Sequence, residues 1–190
     1  MPAVAYIISF LGMILLPIGL WIYFRHKFAL PWKLIVAGAL TFIAAQVLHV
    51  PLVLGMNSLL QTLPLLANAI ILGLLAGIFE ETARYILFKI LLRNAKSWSE
   101  GVLVGLGHGG IEAILLGILA AVSFATMVGY RDIDLSTVPS IPAHQLELAR
   151  QQVQAYWSAP WYMALLGFVE RVFTICLHVS LSVMVLYAVV

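Results

Sequence analysis

Five stretches of continuous apolar sequence, roughly 3–24, 34–54, 65–92, 101–129 and 161–190, decide what this chain can become. Each is long enough to meet the roughly 20 residues that a helix needs to cross the hydrocarbon core of a bilayer. Within lipid every backbone N–H and C=O must be satisfied inside the protein, which leaves helices or closed barrels. A barrel would alternate apolar and polar at every second residue, and these blocks do not. The expected fold class is all-α, a polytopic membrane protein of about five transmembrane helices. At 63% hydrophobic and 9% charged, with a mean hydropathy of +1.06, the 190 residues carry more apolar surface than a soluble core can hide. The first block is read as a membrane helix, because no basic residue precedes it and it is longer than a signal core.

The links between blocks assign an orientation. Arg25, Lys27 and Lys33 fill the first, and Arg93 and Lys96 outweigh Glu100 in the third. Excess Lys and Arg marks cytoplasmic loops, so the N-terminus is expected outside, most naturally of the plasma (inner) membrane. The fourth link, 130–160, is then outside too. Its second part, AHQLELARQQVQAYW, puts Leu146, Ala149, Val153 and Tyr156 at helical spacing, which predicts a short interfacial helix. Tyr156, Trp157, Trp161 and Tyr162 read as an aromatic belt on that side, with Trp21, Trp32 and Trp98 near the cytoplasmic links.

The whole of 1–190 reads as one transmembrane domain, without repeats. Its last block stops at Val190 with no polar or basic anchor, the pattern expected of a domain with more chain to follow. The single cysteine, Cys176, excludes an intrachain disulfide and reads as a small apolar filler. A net charge of +2 confined to the links gives nucleic-acid binding no support. The lipid bilayer is the one certain partner.

Against this background a few ionisable residues stand out. Glu80, Glu81 and Arg84 sit inside the third block, His108 and Glu112 inside the fourth, and Glu170, Arg171 and His178 inside the fifth. Burying such groups in a bilayer costs several kcal/mol, so they persist when paired and, usually, when used. A rise of about 1.5 Å per residue puts Glu81 and Glu112 about 17–18 Å in from the cytoplasmic link, and Arg84 and His108 about 11–14 Å in. Three helices thus bring polar groups to a similar depth. Glu80 and Arg84 are four apart and Glu81 and Arg84 three apart, so the arginine neutralises one carboxylate and leaves another to act as a base. His108 and Glu112 share one face, where Gly101, Gly105 and Gly109 leave room for a neighbouring helix. Arg171, Thr174 and His178 form a third stripe, with adjacent Glu170 turned about 100° away. His49 reads as interfacial. A purely structural role, as an ion-pair lock between helices, stays open for each of these groups.

The strings FEETARY, GLGHGGIEAILLG and ERVFTICLH together resemble the YhfC family of intramembrane metalloproteases. That family is similar in turn to the CAAX-processing and bacteriocin-protection (CPBP) group of membrane proteases. The resemblance covers about Phe79 to His178. It implies an intramembrane endopeptidase in which Glu80 or Glu81 activates a water, Arg84 is the arginine following the pair, and His108 assists. Glu112 and His178 complete the candidate catalytic set. Two departures from the CPBP pattern are visible. The arginine follows the pair after two residues instead of three, which is expected to move Arg84 toward Glu80. The closing His-x-x-x-Asn/Asp is replaced by His178 followed at the fourth position by Ser182.

The implied partner is a membrane-associated peptide or protein substrate, with oligomeric state left open. On the metal the residues allow two readings. His108, Glu112, Glu81 and His178 could form a zinc-type set with an open water position. The paired-glutamate mechanism needs no metal, and Arg84 would repel a cation, so the expectation is that zinc is not tightly held. Two other functions fit Glu and His groups inside a membrane: a proton-coupled transporter, and a noncatalytic scaffold for a partner's helix.

Overall fold

A computed structural model describes residues 2–190. Five helices are long and apolar enough to cross a membrane: α1 (Pro2–Phe28), α2 (Lys33–Gly55), α4 (Leu65–Ile86), α5 (Trp98–Tyr130) and α7 (Met163–Val189). A single turn, α3 (Asn57–Leu60), sits between α2 and α4, and α6 (Leu146–Ser158) lies in the long link. No strand occurs among the described residues. The predicted blocks and the link helix correspond to these elements within a few residues. Arg25, His26 and Lys27 occupy the last turn of α1, where cations complement the exposed carbonyls. Ala29, at φ 52°, then turns the chain into α2.

One feature had no sequence signal. The membrane helix begun by α4 continues through Leu87–Leu91 as a π-helical turn, in which the Leu92 N–H donates to the Leu87 carbonyl at 2.8 Å. Wider turns of this kind are frequent beside functional sites.

The chain divides into two compact units. The first holds the residues up to Leu16 together with Ala113–Val172. Here the long link is built, not loose. Tyr156 stacks on Tyr6 with ring centroids 4.2 Å apart and accepts the Tyr6 hydroxyl on its carbonyl at 3.1 Å. Trp157 donates to the Met127 carbonyl at 3.1 Å beneath the Arg131 guanidinium. These two aromatics are therefore packing residues, and of the expected belt only Trp161 and Tyr162 stand exposed. Glu170 and Arg171 also belong here. They bind each other at 2.6 Å although they are sequence neighbours, because long side chains close the angle that their Cβ vectors open.

The second unit, Pro17–Glu112 with Phe173–Val190, is organised around the first part of α5. All ten residues of 101–110 are buried. Glycine makes this possible. Gly38 of α2 faces the Val104 carbonyl and Gly107 of α5 faces the Ile35 carbonyl so closely that a Cβ on either would overlap backbone. On the other side of α5, a Cβ on Gly105 would lie 2.5 Å from the Val179 Cα, so α7 is the helix admitted by the glycine stripe. Trp21, near the first cytoplasmic link, is tied into this packing, its indole N–H donating to the Leu106 carbonyl at 2.6 Å. Cys176 is a correction to the sequence reading, since it lies on the exposed face of α7 and fills nothing.

Candidate functional site

The expected site residues Glu80, Glu81, Arg84, His108, Glu112 and His178 all fall in the second unit, and α4, α5 and α7 bring them into one network. Backbone contact between α5 and its neighbours sets the distances. Gly109 lies beside the His178 ring, where a Cβ would come within 2.9 Å of Cδ2, so the two histidines approach to 4.8 Å between ring centroids. His108 is wholly buried and His178 nearly so. The Phe42 ring meets His108 edge-on at 5.3 Å.

Glu80 is the hub. Its Oε2 lies 3.2 Å from His108 Nε2, 3.8 Å from His178 Nδ1 and 3.6 Å from an Arg84 nitrogen. Glu112 reaches the far side of His178, with Oε2 at 2.7 Å from Nε2. Arg84 Nη2 lies 2.5 Å from His178 Nδ1. A guanidinium only donates, so Nδ1 presents its lone pair and the ring proton is on Nε2, donated to Glu112. The tautomer of His178 is thereby fixed from both sides.

Arg84 is fully buried and binds Glu81 through Nη1. The departure in motif spacing thus works opposite to expectation: the arginine pairs more tightly with Glu81 than with Glu80. An i,i+3 carboxylate lies nearer on the helix surface, and Glu80 is drawn off by the two histidines. The carboxylate left over is Glu80, with its side chain 12% exposed, against 32% for Glu81. Several buried atoms carry no hydrogen bond: Glu81 Oε2, Arg84 Nε, His108 Nδ1 and the hydroxyl of Ser182, which stands one turn beyond His178.

Two residues of α2 join the network unexpectedly. Gln46 donates from Nε2 to Glu80 Oε1 at 3.2 Å, and its Oε1 lies 3.0 Å from His49 Nδ1. The sequence reading assigned His49 to the interface and gave Gln46 no role. Their three-residue spacing in an apolar helix was the available signal.

Glu80, His108 and His178 each offer one donor atom, and these three atoms lie within 4.8 Å of one another. Two imidazole nitrogens and a carboxylate oxygen match the donors of catalytic zinc sites, which leave a fourth position open. The group is compatible with a metal site. Arg84 touches one of the same donor atoms, so a metal and the Arg84–His178 contact exclude each other.

Fold and site together define a polytopic helical membrane protein with a buried carboxylate–histidine centre. The chain matches the YhfC intramembrane metalloprotease family over residues 12–190, and it belongs to that family. It is 34% identical over 187 residues to the uncharacterized membrane protein YhfC of Bacillus subtilis (strain 168), covering 92% of this chain and 70% of that protein. No solved structure matches it significantly.

Proposed function

We propose that this protein is an intramembrane endopeptidase that hydrolyses a peptide bond of a membrane-associated peptide or protein, with Glu80, His108 and His178 as holders of a divalent metal, zinc foremost. The observation that carries the reading is the meeting of three zinc-type donor atoms from three separate helices within 4.8 Å. A structural ion-pair lock needs one carboxylate and one cation. It gives no reason for two histidines and a second and third carboxylate at the same point.

A zinc ion bound there would supply Lewis acidity and a water acidic enough to lose a proton near neutrality. The chain's own residues do the rest. Glu112 holds His178 so that Nδ1 keeps its lone pair toward the centre, the usual work of a carboxylate behind a ligating histidine. With Glu80 taken up as a ligand, the base is Glu81: Arg84 occupies its Oε1, and its buried Oε2, without a partner, is the lone pair that accepts a proton as water attacks the carbonyl carbon. The same carboxylic acid then returns the proton to the departing amine nitrogen, so Glu81 ends the cycle as it began. The low-polarity surroundings strengthen every such interaction relative to water.

The test separates the two glutamates. Glu81→Gln removes the base and leaves zinc uptake intact, with cleavage of a membrane substrate slowed by about 100- to 10,000-fold. Glu80→Gln and His108→Ala lose both zinc and cleavage. Proteolysis that persists in the double Glu80→Gln, Glu81→Gln variant at matched protein level would sink the mechanism and put the transporter or scaffold reading first.

A further inference from the structure

We propose that Gln46 of α2, with His49 behind it, is a positioning residue that clamps one oxygen of Glu80 so that only the other faces the histidines. The inference rests on the metal reading above. A carboxylate hinged on two single bonds can turn either oxygen, or both, toward a cation. At Glu80 the two oxygens are already distinguished: Oε1 takes the Gln46 amide N–H, and Oε2 takes His108 Nε2 and faces His178 Nδ1.

The orientation of the amide is dictated by its neighbours. With the Gln46 oxygen against Glu80 Oε1, two acceptors would face each other, so the amide nitrogen belongs there. The Gln46 oxygen must then accept, and the atom it meets at 3.0 Å is His49 Nδ1, which therefore carries the proton. His49 is held in turn against Phe79, with ring centroids 5.7 Å apart. The chain His49–Gln46–Glu80 thus has one consistent direction of donation. Burying an amide in an apolar helix is unfavourable without a partner, and here both ends of the amide have one. Outer hydrogen-bond partners of this kind are worth about 10- to 100-fold in metal affinity.

The experiment uses the full chain purified in detergent, stripped by chelation and titrated with zinc against a competing chelator. Gln46→Met keeps length and bulk and removes the amide. It is expected to bind zinc about 10- to 100-fold more weakly than wild type, while the unfolding midpoint of the metal-free protein stays close to wild type. His49→Phe, which keeps the ring against Phe79, is expected to move affinity in the same direction by less. Leu48→Ala, on the exposed face of the same helix, should leave affinity near wild type. Wild-type affinity in Gln46→Met, with zinc uptake by the wild-type chain established, overturns the positioning role alone. A wild-type chain that takes up no zinc overturns the metal reading and the clamp with it.

Discussion

Removing the Arg84 guanidinium should tighten metal binding while loosening the metal-free protein. Arg84 Nη2 lies 2.5 Å from His178 Nδ1 and 3.6 Å from Glu80 Oε2, so it touches one of the three donors a metal would take and stands beside a second. Two unit charges 3.6 Å apart attract by on the order of 4–5 kcal/mol at an effective dielectric of about 20. A metal has to displace that attraction. Because Nη1 stays on Glu81, the guanidinium retreats only to roughly twice that distance, where about half of its attraction to Glu80 persists, so about 2–3 kcal/mol is lost. At about 1.4 kcal/mol per tenfold, Arg84→Met should bind zinc about 30- to 140-fold more tightly than wild type. Without metal the same variant leaves the Glu81 carboxylate without its cation, a loss of the order of 3–5 kcal/mol. Its unfolding midpoint should fall in chelator and recover in zinc, where saturation at 100 times Kd returns about 2.7 kcal/mol. Arg84→Lys keeps a charge but not two nitrogens able to bridge Glu81 and His178, so it should lie between. The assay is an equilibrium zinc titration with thermal unfolding in parallel. Zinc affinity that is unchanged or weaker in Arg84→Met would refute the competition between guanidinium and metal.

Two further outcomes follow from the packing and the links. Gly107→Ala should destabilise the protein by at least about 1–3 kcal/mol, because the new methyl meets the Ile35 carbonyl on a neighbouring backbone; Gly73→Ala, with nothing within 4 Å, should be neutral or slightly stabilising, and equal melting of the two would contradict the close approach of α2 and α5. In a Cys176→Ser background, a cysteine replacing Gln145 should react with an impermeant reagent added outside and one replacing Lys96 should not; the reverse pattern would invert the orientation.

The sequence was most informative where chemistry conflicts with a bilayer. Glu80, Glu81, Arg84, His108, Glu112 and His178 are anomalous in lipid one residue at a time, so they could be found without knowing which helices touch. Pairings were less legible. The choice of Glu81 over Glu80 by Arg84 depends on the histidines of two other helices, which no spacing within α4 encodes. Gln46 escaped because a lone amide in an apolar helix is common and uncharged, and its meaning comes only from the carboxylate opposite. The aromatics of the link carried the same ambiguity: an interfacial belt and an intramolecular stack use the same residues, and Tyr156 against Tyr6 is the second. The π-helical turn at Leu87–Leu91 lies within a uniformly apolar run, where α and π winding bury the same residue types.

The burial of all ten residues at 101–110 bears on how the protein is made. Once folded, this stretch meets no lipid, yet it must enter the bilayer before every neighbour that will cover it exists. With five glycines and a histidine it is poorly suited to partition by itself. The push comes from the second half of the same helix, AILLGILAAVSFATMV, which carries the glycine-rich half in as cargo. By then α2 and α4 have been synthesised, and Gln46, Glu80, Glu81 and Arg84 are already in place to meet His108. His178 is still missing, because it emerges with α7 only after the whole 130–160 link. Synthesis therefore withholds the second histidine until the other membrane helices are inserted, and a partly made chain carries the carboxylates without the centre they serve.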